Sequence, residues 1–231
     1  MRNRVTQIAN GLMYKLKFLL LSPLLTPDEK RHFWAGPPRL WKIKRDFQIQ
    51  FLKQAGLQPQ HYLLDIGCGT LRGGTRIIEY LEKGHYFGIE SRRKVLEEGR
   101  KELRRAHLED KEPILIAAKD IQLVSLQKEF DFIWAFSVLI HMTDAILNDC
   151  LSFVKKNLKE NGRFYANVNI SDKPDKNWQG FPVVHRSLEF YKEACSRSGL
   201  QLSDMGSLRD LGHLSGEKAQ DVQRMLKIWK V

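Results

Sequence analysis

Short apolar runs alternate with longer amphipathic stretches along this chain, and the alternation predicts an α/β sheet. Apolar runs of strand length occupy residues 63–66, 85–90, 114–117 and 130–137, and residues 163–169 add a fifth. The run at 130–137 is almost continuously apolar, which is typical of a central parallel strand buried on both faces. Residues 200–208 and 224–230 are predicted to form a last pair of strands.

Helical periodicity fills the intervals between these runs. Before the first strand, apolar residues recur at spacings of three and four and predict an amphipathic helix that ends at Gly56. Its apolar positions are Leu40, Ile43, Phe47 and Phe51. Further helices are predicted near Gly73, over 91–109, from Thr143 to the Asn161-Gly162 pair, and over 185–198. The polar, proline-bearing segment 171–184 is predicted to be a long loop.

The loop after the first strand is the main candidate for a binding site. Asp65 lies near the end of the apolar run, Gly67 and Gly69 follow, and a helical pattern begins near Gly73. Glycine lets a ligand approach the backbone, and the first N–H groups of the helix point at the loop. Ligands of open α/β sheets bind outside the carboxyl ends of the strands. A dinucleotide fingerprint would have its third glycine where Arg72 stands, which disfavours a dehydrogenase.

With an acid two residues before its first glycine, this motif resembles the Asp-x-Gly-x-Gly motif of class I S-adenosylmethionine (SAM) dependent methyltransferases. The resemblance covers roughly residues 40–231 and implies a Rossmann-like three-layer sandwich. The sheet would be seven-stranded and mostly parallel, with an antiparallel last strand. Residues 1–39 would form a basic N-terminal helical extension, with Trp34 and Trp41 as candidates for a lid. The implied cofactor is SAM, and the implied product is S-adenosylhomocysteine.

The resemblance also implies which residues bind the cofactor. Glu90 ends the second strand, 21 residues after Gly69, where an acid accepts hydrogen bonds from both ribose hydroxyls. The alternative is a strand-end glutamate that caps the next helix. Asp120 matches the acid that contacts the adenine amino group, and the N–H of Ile121 matches the donor to a ring nitrogen. The implied set is Asp65, Gly67, Cys68, Gly69, Gly73, Glu90, Asp120, Ile121 and Phe136.

Methyl transfer from a sulfonium is an in-line displacement, so the protein mainly positions the acceptor and excludes water. We therefore expect no metal site. The candidate general base is His141, which follows the fourth strand and titrates in the range needed to take a proton from a hydroxyl. A packing or capping role is the alternative for His141. His32, His185 and His213 lie in loops or at helix starts, and the sequence does not rank them.

The net charge of +11 is concentrated at one end, because residues 1–60 carry +8 and residues 61–231 carry +3. A basic segment suits phosphates, a membrane surface or an acidic partner, although most such segments are solvated faces. The apolar run at 19–25 is too short to span a bilayer, which leaves packing on protein or a peripheral membrane contact through residues 1–25. Three cysteines without metal spacing fit reduced thiols in a cytoplasmic protein.

Motifs that are absent narrow the choice of acceptor. The segment 136–139 stands where amino-methylating nucleic-acid enzymes carry Asn/Asp-Pro-Pro-aromatic, and no Pro-Cys follows a strand. These absences favour a small-molecule acceptor, including lipid-like or natural-product compounds, and disfavour nucleic acid. Base rates alone favour oxygen over nitrogen or carbon as the methylated atom. An RNA methyltransferase that uses the basic arm and a catalytically silent partner subunit stay open as alternatives, and the chain is expected to be a monomer or a homodimer.

Overall fold

The structure, a computed structural model, describes residues 38–178 and 181–231, together with Leu20 and Pro23. The predictions for most of the N-terminal segment therefore lie outside the described residues. They include the apolar run at 19–25, His32 and the lid candidate Trp34.

Strands and helices alternate along the described chain, as the apolar pattern predicts. The strands are β1 (Leu63–Ile66), β2 (Tyr86–Glu90), β3 (Ile114–Ala117), β4 (Phe130–Ala135), β5 (Leu158–Val168), β6 (Lys176–Trp178), β7 (Phe181–Val183), β8 (Leu200–Ser207) and β9 (Arg224–Lys230). The helices are α1 (Trp41–Gln54), α2 (Gly74–Tyr80), α3 (Arg93–Arg105), α4 (Asp144–Asn157), α5 (Leu188–Arg197) and α6 (Lys218–Asp221). Short 3₁₀ turns follow β3 and β4, at Ile121–Leu123 and Leu139–His141.

Seven of the strands form one sheet in the order β3-β2-β1-β4-β5-β9-β8. Neighbours from β3 to β5 run parallel, and β9 runs antiparallel to both β5 and β8. The predicted seven-stranded, mostly parallel sheet with an antiparallel last strand is confirmed. The chain order reverses between β1 and β4, and the crevice at the carboxyl ends of such a pair is where open α/β sheets bind ligands.

The sheet has an apolar core on each face, which gives the molecule its three layers. Side chains of α1, α2 and α3 fill one core, including Phe47, Ile77 and Leu96. Side chains of α4 and α5 fill the other, including Leu151 and Tyr191. Burial on both faces explains why the central strands read as continuous apolar runs.

The buried face of helix α1 differs in part from the predicted apolar face. Ile43 is 37% exposed, whereas Lys44 and Gln48 are buried at 8% and 5%. Gln48 is buried because its Oε1 accepts a hydrogen bond from Trp134 Nε1 at 2.9 Å, which satisfies two polar groups inside the core. The periodicity therefore identified the helix correctly but assigned one position of its buried face wrongly.

The predicted end of α4 at Asn161-Gly162 is also wrong, because the helix ends at Asn157 and β5 begins at Leu158. Gly162 lies inside β5, next to an irregularity in its pairing with β4. A Cβ atom on Gly162 would lie 2.7 Å from the Phe130 carbonyl oxygen. The glycine therefore permits a close approach between strands and does not stop a helix.

Segment 171–184, predicted as a loop, contains the antiparallel hairpin of β6 and β7. The hairpin is attached to the turn after β4, because Val184 N–H donates to the Ile140 carbonyl at 2.9 Å. At its base, the Arg186 guanidinium pairs with both Asp175 and Asp144. These contacts hold the hairpin against the carboxyl edge of the sheet.

Candidate functional site

The glycine loop lies against the carboxyl end of β2. The N–H groups of Gly67 and Cys68 both donate to the Ile89 carbonyl, at 2.8 and 3.0 Å. Gly67 and Gly69 have φ angles of +73° and +58°, which L side chains rarely adopt. A Cβ atom on Gly67 would also lie 2.5 Å from Val138 Cγ2, in the segment after β4. The loop therefore requires glycine for conformation and for close packing.

Glu90 connects β2 to the glycine loop and to the start of α3. Its Oε2 accepts a hydrogen bond from Gly69 N–H at 3.1 Å. Its Oε1 accepts from the backbone N–H and the Nε of Arg92, at 2.9 and 3.1 Å. The structure thus brings Glu90 and Gly69 together, and it also contains the bond to the following helix that the capping alternative requires.

The side chain of Asp65, in β1, is buried. It is 4% exposed, and the Tyr86 hydroxyl donates to its Oδ2 at 2.7 Å. Burial raises the pKa of Asp65 to about 7, against the opposing effect of the Tyr86 hydrogen bond. Gly74 admits the tyrosine, because a Cβ there would lie 2.7 Å from the Tyr86 hydroxyl oxygen. The hydrogen bond from Tyr86 and the missing side chain of Gly74 therefore hold Asp65 in its buried position.

Gly73 and Cys68 also face protein in this structure. A Cβ on Gly73 would lie 2.3 Å from Gln48 Oε1, so the missing side chain admits the amide of α1. Cys68 is buried, and burial raises the pKa of its thiol well above the usual value. A protonated thiol in this position packs as a small apolar group.

Asp120 and Ile121 lie beyond β3. The Asp120 carboxylate accepts a hydrogen bond from Gln122 N–H at 2.9 Å and so caps the short 3₁₀ turn. Ile121 is partly buried against the core that α4 and α5 cover. The end of β3 is tied to β2 by Ala118 N–H, which donates to the Glu90 carbonyl at 3.1 Å.

The end of β4 contains a strained residue that the sequence did not single out. Ser137 has a φ angle of +61°, and its N–H donates to Asn167 Oδ1 at 2.7 Å. Asn167 in turn donates to Gln223 Oε1 at 2.6 Å. Phe136, which precedes Ser137, stacks on Trp134 with ring centroids 5.6 Å apart. Strain of this kind persists where the surrounding structure enforces it, as at binding sites.

His141 follows on the same edge and lies under the β6–β7 hairpin. Its Nδ1 is 2.7 Å from the Pro182 carbonyl oxygen, and its ring stacks on Trp178 at 6.1 Å. A carbonyl only accepts hydrogen bonds, so Nδ1 carries the hydrogen and Nε2 of the neutral ring is the basic nitrogen. Burial lowers the pKa of His141, which favours that neutral form.

A buried cluster of polar residues, Lys44, His213 and Asp221, lies on the α1 side of this edge, and the sequence singled out neither Lys44 nor Asp221. Burial lowers the pKa of Lys44 to about 7, with a further contribution from the nearby Arg72 charge. His213, which the sequence did not rank, is fully buried between the rings of Phe47 and Phe136. The only sequence signal was two polar positions four apart, Lys44 and Gln48, on an otherwise apolar helix face.

The other sequence candidates lie elsewhere or have structural partners. His185 lies at the base of the hairpin, where its Nδ1 is 2.9 Å from Ser171 Oγ.

Among residues 38–178 and 181–231, no group of three or more histidine, cysteine or acidic side chains has the arrangement of a metal site. Within the same ranges, no helix is both long and apolar enough to cross a bilayer.

Comparison with known proteins finds one family match and several structures of the same fold. Residues 64–164 match the family described as methyltransferase domain. This segment runs from β1 into β5 and contains the glycine loop, Glu90 and His141. No curated protein sequence matches the chain.

Solved structures with the same fold are distant in sequence. One is magnesium protoporphyrin IX methyltransferase from Synechocystis PCC 6803 with bound SAM, at 11% identity and a TM-score of 0.61, covering 84% of this chain and 80% of that one. A SAM-dependent methyltransferase from Clostridium acetobutylicum ATCC 824 has 15% identity and a TM-score of 0.60, covering 83% and 92%. The glycopeptide N-methyltransferase MtfA has 15% identity and a TM-score of 0.62, covering 81% and 90%. At these identities the likeness concerns the fold.

Proposed function

We propose that this chain, whose residues 64–164 match a methyltransferase domain, is a class I SAM-dependent methyltransferase that transfers the methyl group of SAM to a small-molecule acceptor. The acceptor atom we propose is oxygen, in preference to nitrogen or carbon. The observation that carries the proposal is the hydrogen bond from Gly69 N–H to Glu90, which places an acid beside the glycine loop at the switch point of the sheet.

The residues of this edge fit an adenosyl sulfonium bearing an amino acid. Gly69 leaves backbone surface uncovered, and Glu90 supplies a carboxylate that can accept from two ribose hydroxyls. Asp120 and Ile121 are proposed to contact the adenine, and Phe136 to line the pocket. We propose that the pocket wall on the protein side is formed by Asp65, Cys68 and Gly73, because each of them faces protein.

When bound, SAM supplies a methyl group on a positively charged sulfur leaving group. The chain then has to hold the acceptor in line and exclude water. We propose that the β6–β7 hairpin and His141 border the acceptor, because Trp178 and Phe181 cover the His141 ring. The basic Nε2 of His141 is free to accept a hydrogen bond from an acceptor hydroxyl, which is the basis of its nomination as a base.

A cytoplasmic location and a division at residue 39 complete the proposal. The location rests on three cysteines that are buried and unpaired. The division into a basic extension of residues 1–39 and a catalytic domain of residues 40–231 rests on the family resemblance, which begins at the amphipathic helix near Leu40. RNA as the acceptor is the second candidate, favoured only by that charge.

Calorimetry and thermal shift with SAM, S-adenosylhomocysteine and NAD test the proposal. Both adenosyl ligands should bind, and at a hundredfold excess over the dissociation constant each should stabilise the protein by about 2.7 kcal/mol. NAD should leave the melting temperature unchanged. The proposal fails if neither adenosyl ligand binds. For RNA, affinity that falls steeply with salt would support the second candidate.

A further inference from the structure

His213 has the environment of a poised base. Its Nδ1 is 3.1 Å from Asp221 Oδ1, and its Nε2 is buried without a hydrogen-bond partner among the described residues. A carboxylate that accepts from Nδ1–H fixes the tautomer in which Nε2 has the lone pair. An unpaired polar atom in a core costs free energy, and a catalytic role is one of the reasons for which proteins retain such an atom.

The Asp221 side of the pair is held rigidly. Asp221 Oδ1 also accepts from the N–H and the hydroxyl of Ser215, at 3.0 and 2.6 Å. Burial acts to raise the pKa of Asp221, but the hydrogen bonds from Ser215 and His213 outweigh it and hold the pKa below its usual value. The carboxylate therefore stays charged and stabilises a proton that arrives on the imidazole.

The surroundings of Nε2 are aromatic and cationic. The His213 ring lies edge-on to Phe47 and Phe136, at centroid distances of 5.1 and 5.7 Å. Lys44 Nζ is 5.9 Å from the centroid of Phe136, which directly follows β4. Flat apolar walls suit an aromatic ring, and a cation suits an oxygen that becomes negative.

Charges from three elements act on His213. Lys44 on α1 and Arg72 in the glycine loop lower its pKa together with burial, whereas Asp221 on its own segment raises it. The net effect is a lowered pKa, so the neutral ring is the resting form at pH 7. The Arg209 guanidinium also lies beside the pair, 3.9 Å from Asp221 Oδ2.

We propose that the acceptor is an aryl hydroxyl compound, and that His213, held by Asp221, takes its proton while Lys44 faces the oxygen. This inference rests on the proposed function and gives the proton transfer to His213, which leaves His141 to bind the acceptor. The hydroxyl O–H bond breaks and its proton moves to Nε2. The oxygen forms a bond to the SAM methyl carbon as the sulfur–methyl bond breaks, with its electron pair passing to sulfur. The products are an aryl methyl ether, S-adenosylhomocysteine and an imidazolium that releases its proton to solvent.

The first test uses 4-nitrophenol, whose ionised form is yellow, added to the complex of the full chain with S-adenosylhomocysteine. The complex should bind the phenol in its ionised form at a pH at which the free phenol is mostly neutral, with the apparent pKa of the phenol lowered by about one unit or more, a tenfold change in ionisation. His213→Asn keeps a donor for Asp221 but has no Nε2, and it should abolish the ionisation. His185→Asn is the matched control and should leave it unchanged.

A second measurement does not depend on a variant that folds. In nitrogen NMR of labelled wild-type protein, His213 should carry its hydrogen on Nδ1 and gain one on Nε2 when 4-nitrophenol binds. In methyl transfer to a series of phenols, His213→Asn should slow the least acidic phenols most, because they depend most on a base.

The outcomes separate the two proposals. The inference is overturned if the wild-type complex does not ionise the phenol, or if His213→Asn ionises it normally. It is also overturned if His141→Asn abolishes the ionisation and His213→Asn does not. Failure of S-adenosylhomocysteine to bind the wild-type chain would instead overturn the proposed function, and calorimetry detects that independently.

Discussion

Gly69 N–H donates a hydrogen bond to Glu90 Oε2 at 3.1 Å, and this bond joins the glycine loop after β1 to the carboxyl end of β2. The two residues are 21 positions apart in the chain. The parallel pairing of β1 with β2 brings them to the same edge, where Gly67 N–H also meets the Ile89 carbonyl. A ligand that lies on the loop therefore meets the carboxylate directly.

Removing that carboxylate should weaken cofactor binding. We predict that Glu90→Ala costs about 1.5–3 kcal/mol of affinity for S-adenosylhomocysteine, because hydrogen bonds to a charged acceptor are lost. Isothermal titration calorimetry measures the change, with Glu97→Ala on α3 as the exposed control. A lower melting temperature with unchanged affinity would mean that Glu90 serves only to bind Arg92 and Gly69.

The packing of Gly67 should be visible in stability. We predict that Gly67→Ala destabilises the fold by about 1–3 kcal/mol, because the new Cβ meets Val138 at a strained backbone angle. Gly84→Ala is the matched control: its φ is also positive, at +76°, but no atom lies within 4 Å of the new Cβ. Urea unfolding compares the two. Equal losses would show that the backbone angle alone matters, whereas partial rescue of Gly67→Ala by Val138→Ala would confirm the steric contact.

The buried Asp65 predicts a pH dependence of stability. Burial raises its folded pKa to about 7 from an unfolded value of about 3.9, so the folded state binds the additional proton between these values. Its contribution to stability is full at about pH 4 and is lost as the pH rises to about 7. Asp65→Asn should remove this part of the dependence, as measured by urea unfolding from pH 4 to 8. If the variant and the wild-type chain have parallel stability profiles, Asp65 does not titrate in this range.

The basic N-terminal segment should be dispensable for cofactor binding. We predict that deletion of residues 1–25 leaves the dissociation constant of S-adenosylhomocysteine within about threefold, because the motifs begin at Asp65. We expect the apolar positions of this segment to pack on protein, so the deletion should lower either the melting temperature or the oligomeric mass. Strong, salt-sensitive binding of the full chain to anionic vesicles that the deletion abolishes would contradict this expectation.

The amino-acid sequence by itself determined the features that depend on local patterns. Strand runs buried on both faces, glycines that need positive φ, and acids at strand ends are all visible within a few residues. Asp65, Gly67, Gly69 and Glu90 could therefore be placed at one edge of a parallel sheet before any coordinates. The seven-stranded topology was predicted from the resemblance of these residues to the motifs of class I SAM-dependent methyltransferases.

Only the tertiary structure decided the features that depend on distant neighbours. Lys44 and Gln48 are buried on α1 whereas Ile43 is exposed, and for Gln48 the reason is its hydrogen bond with Trp134, a distant partner that periodicity cannot register. Gly162 serves a strand–strand approach and not a helix end. His213 meets Phe47 across more than 160 positions of chain, and it pairs with Asp221 at the end of the short helix α6. Such pairs form only when the folded core brings distant side chains together. The partner of each side chain then depends on the space and the charge around it, and a linear sequence pattern does not contain that information.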